Sequence, residues 1–275
     1  MVDKPEMKDI KTITSRVIYP DGQITCKISS PDLLTSREYW SQEVLRVEVN
    51  SYEDLFFLKS FSEILHHNLG DASSVKIFIP CLFGQRSDRR FSGESSFDLK
   101  IIADFINSCG FGEVQIFDPH SDVAPALIEK SIVITAETAV RATIKRLSES
   151  GEEIDAIVSP DAGAYKKLYN LYSDIDLVAA NKVRKNGEPM IQLNAEVRGL
   201  KLLIVDDLAD GGYTFRLLSQ KLKEQGASSV HLYVSHGFFH KGLDFPDLDS
   251  ITIGSHIGSK VKYLMTHCKP YFLNR

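Results

Sequence analysis

The stretch Leu202-Leu-Ile-Val-Asp206-Asp207-Leu-Ala-Asp210-Gly211-Gly212-Tyr213-Thr214 decides how this chain is read. Four apolar residues in a row predict a buried strand, and it delivers two adjacent carboxylates. Two glycines then make a turn, and Thr214 to Gln225 has helical spacing closed by Gly226. A strand that passes through a glycine turn into a helix leaves backbone N–H groups free to cradle an anion. The helix dipole favours phosphate at the same place. The paired carboxylates suit vicinal hydroxyls of a sugar, or water on a metal ion. The plainer alternative is an acidic strand-to-helix turn with an aspartate cap. No Walker A sequence and no Gly-x-Gly-x-x-Gly is present, so the common nucleotide folds are not supported.

The strand–helix alternation repeats on both sides of this stretch. Val75–Ile79 and Val114–Phe117 predict strands, and Phe97–Cys109 predicts a helix. In that helix Phe97, Ile101 and Phe105 mark the inward face, with Ile102 and Ile106 beside it. Ser95 with Asp98 resembles a capping box, and Gly110 suits a left-handed end. Thr138–Leu147 predicts a helix with Val140, Ile144 and Leu147 inward. Strands follow at 154–158, 177–180, 230–234 and 251–253, with a short helix over 163–171. Alternation of this kind implies α/β architecture with mostly parallel sheets flanked by helices. Two such series predict two similar domains, 1–134 and 135–275.

Composition narrows the function classes. The net charge of −5 disfavours sequence-independent nucleic-acid binding, which wants a basic face. No window approaches the ~20 apolar residues of a membrane helix. Cys26, Cys81, Cys109 and Cys268 lack Cys-x-x-Cys spacing, which argues against zinc and against a disulfide framework. With no signal-peptide core in the first 15 residues, the expected compartment is the cytoplasm.

In parallel sheets ligands lie beyond the carboxyl ends of the strands. Four post-strand segments are rich in candidate groups: Arg86-Ser-Asp-Arg-Arg90, Asp118-Pro-His120, Ser159-Pro-Asp161-Ala-Gly163 and Asp206 to Thr214. Three arginines in five positions suit a polyphosphate. His120 reads as a metal ligand, a phosphate contact or a structural histidine, and Asp161 as a metal-organising carboxylate or a helix N-cap. Asn181-Lys182-Val-Arg184-Lys185, followed by Gly187 and Pro189, predicts a cationic loop able to close on phosphates.

Taken together, and in this order, these segments resemble those of the ribose-phosphate pyrophosphokinases, the phosphoribosyl-diphosphate synthetases. The glycine turn resembles their ribose-phosphate loop. Ile79-Pro-Cys-Leu-Phe-Gly-Gln-Arg-Ser-Asp-Arg-Arg90 resembles their ATP-binding stretch, and Asp118-Pro-His120 their Asp-Leu-His metal motif. Val158-Ser-Pro-Asp-Ala-Gly163 is similar to Val-Ser-Pro-Asp-Xaa-Gly, and Lys182-Val-Arg184 to the Lys-Xaa-Arg of a mobile catalytic loop. Tyr19-Pro-Asp21-Gly22-Gln23 resembles a Phe-Xaa-Asp-Gly-Glu turn that reaches a neighbouring subunit's adenine.

The resemblance implies a divergent, short member with two type I phosphoribosyltransferase-like domains, the first serving ATP and the second the ribose phosphate. It implies Mg²⁺-dependent transfer of the β,γ-diphosphoryl group of ATP to ribose 5-phosphate, in a homo-oligomer of two or more subunits. Lys182 and Arg184 would be catalytic. Asp206, Asp207, Asp210, Gly211, Gly212, Tyr213 and Thr214 would bind the sugar phosphate. Asp21, Gly22, Gln23, Arg86, Ser87 and Asp88 would bind ATP, and His120 and Asp161 would organise Mg²⁺. Several positions depart from the pattern: Ser87 replaces Gln, and Gln23 replaces Glu. In the phosphate loop, Asp-Thr-Xaa-Gly-Thr becomes Asp210-Gly211-Gly212-Tyr213-Thr214. A lost hydroxyl and a gained aromatic would suit a longer 5-substituent, as in ADP-ribose and the salvage of NAD. A phosphoribosyltransferase and a catalytically inactive regulatory homologue are the further alternatives.

Overall fold

The computed structural model describes residues 7–185, 188–256 and 273–274, with the backbone alone described at 31–32, 182–185, 188–190, 255–256 and 273–274. The chain divides into two compact units, Met1–Ile134 and Thr135–Arg275.

Unit 1 runs β1 (Met7–Asp9), β2 (Thr14–Ile18), β3 (Ile24–Ile28), α1 (Arg37–Gln42), β4 (Val44–Arg46), α2 (Tyr52–Leu69), β5 (Lys76–Ile79), α3 (Asp98–Asn107), β6 (Glu113–Phe117), α4 (Val123–Leu127) and β7 (Ser131–Ile134). Five strands form one sheet in the order β1-β4-β5-β6-β7, with every pairing parallel. β2 and β3 form a separate antiparallel hairpin. The longest helix, α2, has no counterpart in the sequence reading above, yet its signals are plain. Ser51 accepts from Asp54 N–H at 3.2 Å as N-cap, and Glu53 and Asp54 sit at the positive end of the dipole. Leu55, Leu58, Phe61 and Leu65 face the core at helical spacing, and Gly70 ends the helix at φ +84°.

α3 corrects two expectations. Its buried face is Leu99, Ile102, Ala103 and Ile106, an i, i+3, i+4, i+7 stripe, while Ile101 is 57% exposed. The capping box does not form: the N-cap is Phe97 with no side-chain bond. Ser95 Oγ is taken up by a tight turn, accepting from Phe91 and Ser92 N–H at 3.1 and 2.9 Å, so the helix starts after it. Gly110 is left-handed as expected, at φ +73°.

Unit 2 runs α5 (Glu137–Glu149), β8 (Ala156–Ser159), α6 (Ala162–Leu171), β9 (Asp176–Lys185), β10 (Glu188–Leu193), β11 (Lys201–Ala209), α7 (Tyr213–Glu224), β12 (Ser229–Gly237), β13 (Ser250–His256) and β14 (Leu273–Asn274). The sheet order is β10-β9-β8-β11-β12-β13-β14. The five central strands are parallel, and the two edges are antiparallel. From β8 the chain steps outward to β9 and β10, then returns to place β11 on the other side of β8. The order therefore reverses between β8 and β11, which makes a crevice at their carboxyl ends.

Within the cationic loop expected at 181–189, residues 181–185 and 188–189 are instead strand. β9 continues to Lys185, and β10 pairs back on it, Glu188 opposite Lys185 and Ile191 opposite Lys182. Asn186-Gly187 separates the paired ends, and Asn-Gly is the strongest short signal for a hairpin. Pro189 is tolerated because β10 is an edge.

Candidate active site

The reversal in unit 2 gathers the sugar-phosphate candidates. β8 ends at Ser159, whose buried hydroxyl donates to the Asp161 carbonyl oxygen at 2.5 Å and so shapes the turn into α6. Asp161 caps α6, accepting from Ala164 N–H at 2.9 Å. Asp206 and Asp207 stand near the carboxyl end of the adjacent strand β11, with Asp207 N–H donating to Asp206 Oδ1 at 3.0 Å. Burial, the neighbouring Asp207 and the charge of Asp161 push the Asp206 carboxyl well above the ordinary carboxylate range. Three carboxylates thus share one electrostatic neighbourhood. Such a set attracts a hard cation.

Asp210, Gly211 and Gly212 join β11 to α7 directly. Gly212 is left-handed at φ +76°, and a Cβ there would stand 2.4 Å from Phe245 Cζ, so only glycine fits. Gly212 offers α7 no capping side chain, and the first turn carries no acidic residue, a helix N-terminus that suits an anion. Tyr213 opens the helix and is 62% exposed; it does not turn into the core. Lys182 and Arg184 lie on the part of β9 that runs past its pairing with β8, which ends at Ala179, and forms a two-stranded arm with β10.

The segment after β12 walls this loop and was missed in the sequence reading. Phe238 N–H donates to Ala209 O at 2.8 Å. His240 Nδ1 lies 2.8 Å from Asp210 Oδ1. A Cβ on Gly211 would meet Lys241 Cδ at 3.3 Å and His240 Cε1 at 3.4 Å. Phe245 is buried against Phe239 at 5.8 Å between ring centres, and Arg216 covers it at 5.3 Å. The post-strand rule applied to β12 points to Phe238–Gly242, so the signal was there to be used.

In unit 1 the candidates occupy three places. Asp21 to Gln23 form the tip of the β2–β3 hairpin. Gly22 N–H donates to Tyr19 O at 2.9 Å, Gln23 N–H to Asp21 Oδ1 at 3.0 Å, and Gly22 is left-handed at φ +87°. Arg86, Ser87 and Asp88 lie in the long connection from β5 to α3; Arg86 is exposed, and Ser87 N–H donates to Gly84 O at 2.9 Å. His120 follows β6, after Asp118, a buried aspartate at φ +41°. Gln85, which the sequence reading left without a role, joins the last two places. Buried at 2% exposure, it accepts from His120 N–H at 2.9 Å. His120 belongs to unit 1 and Asp161 to unit 2. Among the described residues no three His, Cys, Asp or Glu side chains are grouped to bind one ion directly.

The phosphoribosyl transferase domain family matches residues 132–261, essentially unit 2. A ribose-phosphate pyrophosphokinase of Hyphomonas neptunium is 26% identical over 248 residues, 78% of this chain and 78% of the relative. Over most of its length the chain is similar to ribose-phosphate pyrophosphokinases. A second pyrophosphokinase, of Marinomonas sp., is 27% identical over 219 residues, 72% of this chain and 69% of its own. The fold agrees: the crystal structure of phosphoribosylpyrophosphate synthetase from Mycobacterium smegmatis aligns over 84% of this chain and 81% of its own, at 16% identity and a TM-score of 0.66. No described helix is long and apolar enough to cross a membrane.

Proposed function

We propose that the protein is an ATP-dependent ribose-phosphate diphosphokinase. The anomeric hydroxyl oxygen of a ribose 5-phosphate attacks the β-phosphorus of ATP. A new O–Pβ bond forms, the bond from the α,β-bridging oxygen to Pβ breaks, AMP departs, and the hydroxyl proton passes to solvent. The products are phosphoribosyl diphosphate and AMP. The observation that carries this reading is the Asp206–Asp207 pair running into a glycine loop at the reversal of strand order in unit 2. Phosphoryl-group transfer asks a protein mainly for positioning and charge neutralisation.

Each candidate then has a role. Asp206 and Asp207 orient the ribose hydroxyls, and Asp210 to Thr214 hold the 5-phosphate on backbone N–H groups. Lys182 and Arg184 neutralise the diphosphoryl group as it transfers. Arg86, Ser87 and Asp88 hold ATP, and the Asp21–Gln23 turn serves the adenine of a neighbouring subunit in a homo-oligomer. Mg²⁺ would fit the carboxylates Asp161, Asp206 and Asp207 through its own waters, because carboxylate oxygens are the donors this hard cation takes and Asp161 and Asp207 stand close enough to act on Asp206. His120 would serve Mg²⁺ beside ATP. Bound there, Mg²⁺ supplies charge neutralisation for the phosphates.

A second reading of the sugar is favoured by one observation. Tyr213 is exposed at the head of α7, where it is available to stack on a base. That suits ADP-ribose as the acceptor, with the same chemistry at its free anomeric hydroxyl, giving ADP-ribose pyrophosphate. The test incubates the protein with Mg·ATP and each sugar in turn. Sugar-dependent release of AMP is expected. Release of ADP, or no nucleotide turnover with either sugar, would overturn the proposal.

A further inference from the structure

The phosphate loop of unit 2 has lost one side chain and gained two. At Gly211 the pyrophosphokinase pattern carries a threonine hydroxyl, which is a donor to a phosphate monoester. Here that space is lined by His240 and Lys241: a Cβ at 211 would lie 3.3 Å from Lys241 Cδ, and 3.4 and 3.5 Å from His240 Cε1 and Nε2. Asp210 fixes the imidazole. A carboxylate only accepts, so the 2.8 Å contact makes His240 Nδ1 the donor to Asp210 Oδ1; Nε2, on the Gly211 side, donates to a phosphate oxygen when the ring carries both protons. Lys241 brings a point charge on a flexible stem to the same rim.

These changes alter what the loop can hold. A monoester presents three anionic oxygens and wants a donor for each. A phosphate inside a diphosphate presents two, and its third substituent is a bridging oxygen that needs an exit. Gly211 removes one donor, and the space a side chain would take there is bordered instead by His240 and Lys241.

We infer that His240 and Lys241 hold the second phosphate of a 5′-diphosphate substituent and set the enzyme's preference for such sugars over ribose 5-phosphate. This inference rests on unit 2 being the sugar-phosphate site. It assigns a specificity role to residues that take no part in the transfer itself.

Binding without turnover tests it, so its failure is distinguishable from failure of the diphosphokinase reading, which AMP release decides. Calorimetry measures Kd for ADP-ribose and for ribose 5-phosphate on the full chain, in the wild type, Lys241→Ala and Gly211→Thr. The wild type should bind ADP-ribose at least tenfold more tightly. Lys241→Ala should weaken ADP-ribose about tenfold and ribose 5-phosphate by less than threefold. Gly211 has ordinary backbone geometry, so Gly211→Thr needs only His240 and Lys241 to swing aside; it should tighten ribose 5-phosphate and weaken ADP-ribose. A wild type that prefers ribose 5-phosphate overturns the inference, as does a Lys241→Ala variant that weakens both sugars alike or neither.

Discussion

The two units place their candidate groups by opposite means. In unit 2 the strand order reverses between β8 and β11, and three residues, 210–212, carry the chain from β11 into α7. In unit 1 the order β1-β4-β5-β6-β7 follows the chain without reversal, and residues 80–97 separate β5 from α3. A reversal opens a crevice by topology alone, because neighbouring crossovers leave in opposite directions. A glycine turn and two carboxylates then suffice. Without a reversal, the groups must be carried by a long connection, and that connection must be tied down. Buried Gln85 ties it to His120, and Leu99 N–H of α3 donates to Ser87 O at 3.3 Å. One unit carries its candidate groups on the sheet, the other on a loop fastened beside it.

The largest expected effect tests how the work is divided. Lys182→Ala and Arg184→Ala, on the arm of unit 2, should each lower kcat about a hundredfold or more while ATP still binds. Arg86→Ala, on the loop of unit 1, should act chiefly through KM for ATP. Steady-state kinetics with ATP varied decide it. The opposite pattern, with kcat lost at Arg86 and KM at Lys182, would break the comparison.

The next effect sharpens it through two glycines. Gly84 in unit 1 and Gly212 in unit 2 are both left-handed, and a Cβ on either would stand 2.4 Å from a neighbour. At Gly84 that neighbour is the terminal Cδ1 of Ile102, which can rotate; at Gly212 it is the Phe245 ring, packed against Phe239 and covered by Arg216. Gly84→Ala should cost about 1–2 kcal/mol, the left-handed backbone penalty. Gly212→Ala should exceed it by about 1 kcal/mol or more, since a packed ring has to move. Urea denaturation measures both, and equal losses would show that the ring yields freely.

Gln85→Leu probes the tie in unit 1. It leaves the His120 N–H without its acceptor, at about 1 kcal/mol or somewhat more. The expected outcome is a lower urea midpoint together with a raised KM for ATP. A stability loss without any change in KM would make Gln85 a purely structural residue.

The smallest effect is one of pH. The folded chain holds the Asp206 proton more tightly than the unfolded chain does. This group's contribution to stability is therefore fully present below the ordinary carboxylate pKa of about 3.9 and is lost as pH rises through the raised folded value. Asp206→Asn removes that loss. Its Tm should exceed the parent's at pH 7 by a few degrees, and the gap should close on going below about pH 4. A variant less stable than the parent at pH 7 would contradict the carboxylate crowding.

How much of this was legible in the sequence follows the same divide. The unit 2 candidate segment is local: strand, carboxylates, glycines and helix fall within residues 202–225, so period and turn chemistry sufficed to place its strand, turn and helix. What lay outside was brought in by tertiary contact, namely His240, Lys241 and Phe245, and only the strand-end rule applied to β12 would have found them. The arm holding Lys182 and Arg184 was misread because Gly187 and Pro189 were weighed as loop residues, whereas Asn186-Gly187 between extended segments is a hairpin signal. In unit 1 the motif residues were visible but not what fastens them. Nothing local marks Gln85 as buried, and the start of α3 depended on a turn at Phe91–Ser95 that competes with the capping box. Helix α2 was overlooked although Ser51 and Gly70 bound it.

The central claim is that unit 2 receives the sugar phosphate and the β5–α3 connection of unit 1 receives ATP. Amide hydrogen exchange, with each ligand added separately in Mg²⁺ buffer, tests it most directly. Ribose 5-phosphate or ADP-ribose should slow exchange across residues 206–216, and ADP-ribose should extend the protection to 238–242. ATP should slow exchange across 84–90 and 118–121. Sugar-phosphate protection confined to unit 1, or ATP protection centred on the glycine loop, would contradict the account.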